Sequence, residues 1–204
     1  RRSSCRTKDP WARVPRKALL SRTRVYLSLG SNLGDRQSNL EKSVARLQGI
    51  IEELRCSSVY ETAPLYLTGQ PPFLNIAATG FTRLKPQALL RQALAIEALL
   101  GRRRPGQPKG PRPIDIDILL YGDLILKEKG LTVPHPAMKE RRFVLEPLYE
   151  LDPGLADPLT GLSFALFREQ VKDQGVYIVH PWGYTQPETQ HDRRHPGRET
   201  ELQT

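Results

Sequence analysis

The sequence predicts an α+β fold: a ferredoxin-like antiparallel sheet with helices packed on it, extended by a C-terminal hairpin and helices. Three observations carry that prediction. Strand-like runs occur at Arg24 to Leu29, Leu54 to Tyr60, Phe73 to Phe81 and Ile114 to Tyr121, with the alternation that marks a half-buried strand. Two segments with apolar residues at three- and four-residue spacing fall between the first and second runs and between the third and fourth. The resulting order, strand–helix–strand–strand–helix–strand, is the split βαβ arrangement.

Each element follows from local chemistry. Arg24 to Leu29 alternates and leads into the turn Gly30-Ser31-Asn32-Leu33-Gly34. Asp35 suits the N-cap of a helix over about 36–50, with Leu40, Val44, Leu47 and Ile51 as its apolar stripe. The Pro- and Gly-rich loop 62–72 separates the second and third strands. Pro86 suits the first turn of the next helix, whose stripe is Leu89, Ala93, Ile96 and Leu100 and which ends at Gly101. Leu124 to Lys127 and Leu131 to Val133 read as a hairpin around Gly130. Met138 to Leu151 reads as helical with an interruption at Pro147, and Leu162 to Lys172 as a further helix.

The chain of 204 residues fits one domain, over 24–184, between a leader (1–23) and a tail (185–204) that are both expected to be disordered. The net charge is +9, yet residues 1–24 hold nine basic residues against Asp9 alone. The excess belongs to the leader, which weakens a nucleic-acid reading of the domain. That leader shares its composition with organellar transit peptides and lacks the apolar core of a secretory signal; it is expected to have no catalytic role. No apolar run reaches the length of a membrane span. The only cysteines are Cys5 and Cys56, too few for a disulfide framework or a zinc site, and they point to a reducing, cytoplasmic setting.

The chemistry centres on Ile114-Asp115-Ile116-Asp117-Ile118. Side chains two apart leave a strand on the same side, so the isoleucines enter the core and the two carboxylates stand together opposite. Adjacent carboxylates repel unless a cation joins them. Oxygen ligands suit Mg²⁺, which takes one or two carboxylates and completes its shell with water and phosphates. Just upstream, the segment 101–112 brings Arg102, Arg103, Arg104, Lys109 and Arg112 on a Gly/Pro loop, a layout suited to a polyphosphate. Taken singly, such a strand is also an ordinary amphipathic edge and such a charge run a solvated turn; their proximity favours function. No phosphate-cradling Gly-x-x-x-x-Gly-Lys-Ser/Thr loop and no dinucleotide-binding glycine fingerprint is present.

The run Gly110-Pro111-Arg112 through Leu120 resembles the signature of the 6-hydroxymethyl-7,8-dihydropterin pyrophosphokinase family. Three more stretches agree in order: Gly30 to Arg36, then Tyr60 to Pro64 with Phe73-Leu74-Asn75, then Val133-Pro134-His135 with Arg141 and Phe143. The likeness covers roughly Arg24 to Gly161. It implies ATP-dependent transfer of pyrophosphate to the pterin hydroxymethyl group, giving AMP and the pterin diphosphate in folate biosynthesis. It further implies ATP as co-substrate with two Mg²⁺ ions held by Asp115 and Asp117. By the resemblance, Arg102, Arg112, Asp115 and Asp117 are catalytic. Arg102, Arg104, Arg112, Ile118, Thr132, His135 and Arg141 bind ATP. Thr62, Pro64, Leu65, Phe73, Asn75 and Phe143 bind the pterin, and Glu97 is a supporting acid, although a helical Glu is usually solvated. Lys109 departs from the family, since many members carry a Trp there that packs over the pterin. The partners implied are the two substrates, with no nucleic acid and no membrane; the oligomeric state stays open, leaning to a monomer. The competing reading is a ferredoxin-like nucleic-acid-binding module, but the strand Ile114–Tyr121 offers carboxylates where an RNA-recognition sheet needs aromatics.

Overall fold

Val25, Leu27 and Leu29 alternate with Tyr26, Ser28 and Gly30 along the first strand, and the two sets go to opposite faces of one sheet. The computed structural model describes residues 22–65, 69–102 and 110–183. The elements are β1 (Thr23–Ser31), α1 (Arg36–Leu47), β2 (Glu52–Cys56), β3 (Val59–Thr62), β4 (Phe73–Thr82), α2 (Pro86–Leu99), β5 (Asp115–Tyr121), β6 (Leu126–Glu128), β7 (Leu131–Val133), a 3₁₀ turn (Met138–Glu140), α3 (Arg142–Leu151), α4 (Phe164–Gln170) and β8 (Val176–His180). The main sheet runs β5-β1-β4-β3-β8, with β2 also paired to β4, and every pairing in it is antiparallel. The core of this arrangement is the expected ferredoxin-like one.

Two apolar layers sandwich the sheet. On one face, Val25, Leu27, Leu29, Ile76, Ile116 and Ile118 meet Leu40, Val44 and Leu47 of α1 and Leu89, Ala93 and Ile96 of α2. On the other, Tyr26, Leu119 and Leu120 meet Val144, Leu145 and Leu148 of α3 and Phe164 of α4. Burial of these residues is the main stabilising term. A bulge where β5 passes Tyr26 and Leu27 breaks the period-two alternation, so that Leu119 and Leu120 both turn toward α3. Polar clasps fix α3 to the sheet: the Tyr60 hydroxyl donates to Glu150 Oε2 at 2.7 Å and the Tyr26 hydroxyl to Asp152 Oδ2 at 2.6 Å.

Several local expectations change. Asp35 caps α1 as expected, accepting from Ser38 N at 3.0 Å, but the helix stops at Leu47 and Ile51 is buried beyond it. The expected strand Leu54 to Tyr60 is two strands, broken at Ser57 and Ser58. There the Glu150 carboxylate captures the Ser58 N–H at 3.0 Å, a group a continuous ladder would have used. The break expected at Pro147 falls at Arg141 instead. α3 runs through a buried Pro147, because Val144, Leu145 and Leu148 anchor the helix on both sides of it. α4 is shorter than the stretch Leu162 to Lys172 and is capped by Ser163. The hairpin closes at Gly130, whose φ of 79° suits glycine. Strand β8 was not expected at all; its Val-Tyr-Ile-Val run extends the sheet edge beside β3. The expected tail, and the leader except for Arg22 and Thr23, lie outside the described residues. No described helix is long and apolar enough to cross a membrane.

The sheet's backing is tight at Gly80, where a Cβ would sit 2.6 Å from Ile51 Cγ2 and 2.7 Å from the Glu52 carbonyl oxygen. Gly80→Ala is expected to cost about 1–3 kcal/mol of stability, read as a lower urea midpoint with an unchanged m-value; a midpoint equal to wild type would contradict this packing.

Candidate active site

The register of the sheet assembles the site. Gly30 lies opposite Asp115 on one side and Asn75 on the other, and Ser28 lies opposite Asp117 and Ala77. Thr62 faces Phe73 across the β3–β4 pair. These residues share the face opposite α1 and α2, at the end that α3 leaves uncovered. Arg141 and Phe143 stand at the start of α3, and the His135 backbone N–H is anchored to the Leu119 carbonyl at 2.9 Å.

The result is a cleft of about 320 Å³. Thr62, Pro64, Leu65, Phe73, Asn75 and Phe143 line it together with Arg102, Arg112, Asp115, Asp117, His135 and Arg141, so most of the expected site residues converge. Ile118 does not line it: its side chain is buried in the α1–α2 core on the opposite face, as period two requires. Thr132, on β7, is also outside the lining. Arg104 and Lys109 lie outside the described residues. Glu97 sits beneath the cleft and is buried at 2% exposure, which corrects the expectation of a solvated helical Glu. Ser28, Gly30, Ala63 and Gln70 also line the cleft and were not anticipated. Ser28 and Gly30 become visible only once β1 is paired with β5.

Charge organises this space. Arg102 Nη1 donates to Asp115 Oδ1 and, at 2.6 Å, to Glu97 Oε1. Glu97 Oε1 also accepts from the Ile116 backbone N–H at 2.8 Å, tying α2 to β5. Arg112 Nη2 pairs with Asp115 Oδ2 at 2.7 Å. Burial works against the charge of Arg102, but Asp115 and Glu97 outweigh it and raise its pKa. Burial pushes the Asp117 carboxyl above the usual carboxylate range, and the neighbouring Asp115 adds to the effect. Burial lowers the pKa of His135 against the opposing pull of Asp117.

The apolar end is equally ordered. Asn75 Nδ2 donates to Thr62 Oγ1 at 2.8 Å, and the Arg112 guanidinium lies 5.0 Å from the Phe73 ring centroid. Asn32 joins the two halves: its Oδ1 accepts from the Arg112 N–H at 2.8 Å, and its Nδ2 donates to Gln70 Oε1 at 3.1 Å. Gly30 is required by close approach, since a Cβ there would lie 2.9 Å from Asn75 Oδ1. Among the described residues, no group of three or more His, Cys, Asp or Glu side chains gathers to hold a metal. Two adjacent carboxylates nevertheless fit Mg²⁺, which recruits its other ligands from water and phosphate.

An antiparallel sheet whose open face holds paired acids under arginines beside an aromatic and amide pocket defines an α+β domain with one two-part cleft. The chain belongs to the 7,8-dihydro-6-hydroxymethylpterin-pyrophosphokinase (HPPK) family, whose profile matches residues 26–153. It is 42% identical over 135 residues to 2-amino-4-hydroxy-6-hydroxymethyldihydropteridine pyrophosphokinase of Aquifex aeolicus, covering 66% of this chain and 84% of that one. It is 41% identical over 162 residues to folic acid synthesis protein fol1 of Pneumocystis carinii, covering 78% of this chain. The chain spans only 22% of the length of that relative. A crystal structure of Plasmodium falciparum HPPK-DHPS superposes with a TM-score of 0.59 at 14% identity, over 75% of this chain and 46% of that one. That likeness speaks for the fold.

Asp117 is the electrostatic cost of the site. Its pKa is raised in the folded state, so its destabilising effect is absent at low pH and grows as pH climbs through the raised value. Asp117→Asn is expected to raise the melting temperature of the ligand-free protein, more at pH 8 than at pH 3, below the ordinary carboxylate value. A lower melting temperature at pH 8 in calorimetry would contradict it.

Proposed function

We propose that this domain transfers pyrophosphate from ATP to the hydroxymethyl oxygen of 6-hydroxymethyl-7,8-dihydropterin, releasing AMP and the pterin diphosphate for folate synthesis. The observation that carries the reading is the single cleft holding Asp115 and Asp117 at one end and Phe73, Asn75 and Phe143 at the other. The Aquifex relative bears the name of this activity.

The residues divide the work. Asp115 and Asp117 would hold Mg²⁺, two ions by the family resemblance, which supply charge neutralisation to the triphosphate when bound. Arg102 and Arg112 offer guanidinium forks to phosphate oxygens, a bidentate geometry that Lys lacks. Arg104 joins them in this proposal from outside the described residues. His135 brings a buried Nδ1 with no hydrogen-bond partner among the described residues, and Arg141 adds a cation beside it for the nucleotide. Ile118 and Thr132 stay in the nucleotide set by the family resemblance alone, since neither lines the cleft.

At the other end, Phe73 and Phe143 present ring faces for a flat heterocycle. Thr62 takes one of the two Asn75 amide hydrogens, which leaves the other hydrogen and Oδ1 for the heterocycle. Pro64 and Leu65 close the apolar side. Glu97 keeps Arg102 and β5 in place. Transfer of this kind depends on positioning and charge stabilisation more than on covalent participation by the protein.

A coupled assay for AMP release from ATP and 6-hydroxymethyl-7,8-dihydropterin tests the proposal. Asp115→Ala and Asp117→Ala are each expected to slow turnover at least about 100-fold, or roughly 3 kcal/mol. Near-normal rates in both at saturating Mg²⁺ would overturn it. Gly30→Ala is expected to raise KM for the pterin about tenfold, by displacing the Asn75 amide, with little change in KM for ATP; an unchanged pterin KM would separate Asn75 from recognition.

A further inference from the structure

Both oxygens of the Asp115 carboxylate are engaged in the ligand-free chain. Arg102 Nη1 donates to Oδ1, and Arg112 Nη2 pairs with Oδ2 at 2.7 Å. Neither guanidinium is loosely placed. The same Nη1 of Arg102 donates to Glu97 Oε1 at 2.6 Å, and Glu97 is fixed in turn by the Ile116 backbone. The Arg112 backbone is fixed by Asn32, and its Nη1 donates to the Gly110 carbonyl at 3.1 Å. A divalent cation arriving alone at Asp115 therefore meets two held positive charges at contact distance. Displacing them would leave Arg102 with Glu97 alone and Arg112 with no anion among the described residues. A polyphosphate changes that balance, because its oxygens are better partners for a guanidinium fork than one carboxylate.

We propose that Arg102 and Arg112 latch Asp115, so that the Asp115–Asp117 pair accepts a divalent cation only together with a polyphosphate that draws the two arginines away. The inference rests on the proposed metal-binding role of the acid pair. Cation and nucleotide are then reciprocally coupled: each raises the affinity for the other. The latch also keeps the acid pair charge-compensated while the cleft holds no ligand.

The test reads metal binding rather than turnover. Mn²⁺ is titrated into the full chain without nucleotide and followed by the electron paramagnetic resonance signal of the free ion. Wild type is expected to bind weakly. Arg112→Gln is expected to bind Mn²⁺ at least about tenfold more tightly, whereas Arg112→Lys, which keeps the charge, shows a smaller gain. Adding Asp115→Asn to Arg112→Gln should abolish the gain, which places it at Asp115. Equal affinity in wild type and Arg112→Gln, or a gain that survives Asp115→Asn, overturns the latch. Circular dichroism of each variant confirms the fold, and Arg112 is a partly exposed loop residue whose replacement leaves the core untouched. The two proposals fail separately: a gain in Mn²⁺ binding with no AMP release keeps the latch and removes the activity, and AMP release with no gain does the reverse.

Discussion

Two like charges held on one side of a strand are the constraint on which the rest depends. Ile114, Ile116 and Ile118 are buried in the layer beneath α1 and α2, and that burial forces Asp115 and Asp117 onto the other face side by side. Neither can turn away without pulling an isoleucine from the core. The surroundings are arranged to tolerate the repulsion. Arg102 and Arg112 compensate Asp115 directly. Glu97 holds Arg102 from below, and Asn32 holds the Arg112 backbone. An acid pair that is unfavourable in isolation is thus kept charge-compensated.

The layering explains where the cleft opens. α1 and α2 pack on one face of the sheet, while α3 and α4 cover only part of the other. The clasps from Tyr60 to Glu150 and from Tyr26 to Asp152 seat the C-terminal half of α3. Its N-terminal end, with Phe143 and the preceding Arg141, overhangs the uncovered floor. The floor is made of small residues where approach must be close, Gly30 and Ser28, and of side chains with fixed partners, Asn75 with Thr62. Strands carry Ser28, Thr62, Asn75 and both acids, which suits chemistry that depends on placement, while Gln70, the arginines and His135 come from the segments between elements.

Family membership and fold rest on different findings. The sequence matches place the chain in the HPPK family at about 40% identity, while the superposition at 14% identity speaks for the architecture. The longer relatives contain much that this chain does not span. Each lining residue among those described comes from a strand, a connecting segment or the start of α3.

From the sequence alone, the order of the elements, the strand alternation and the acid pair were all legible, because each is a local periodicity. The N-cap at Asp35 and the proline start of α2 were legible for the same reason. Less was visible where a long-range contact overrides local preference. The break at Ser57 and Ser58 exists because Glu150, far along the chain, takes a backbone N–H. The continuity of α3 through Pro147 exists because its apolar face is buried on both sides of it. Strand β8 needs β3 as its partner. Likewise, Asp115 and Asp117 could be placed on one face by counting residues, but not the arginines on Asp115, the burial of Glu97 beneath them, or Gly30 and Ser28 as the floor between Asn75 and the acids. Those relations are set by strand pairing and by packing across the sheet, which join residues that a periodicity along the chain cannot connect.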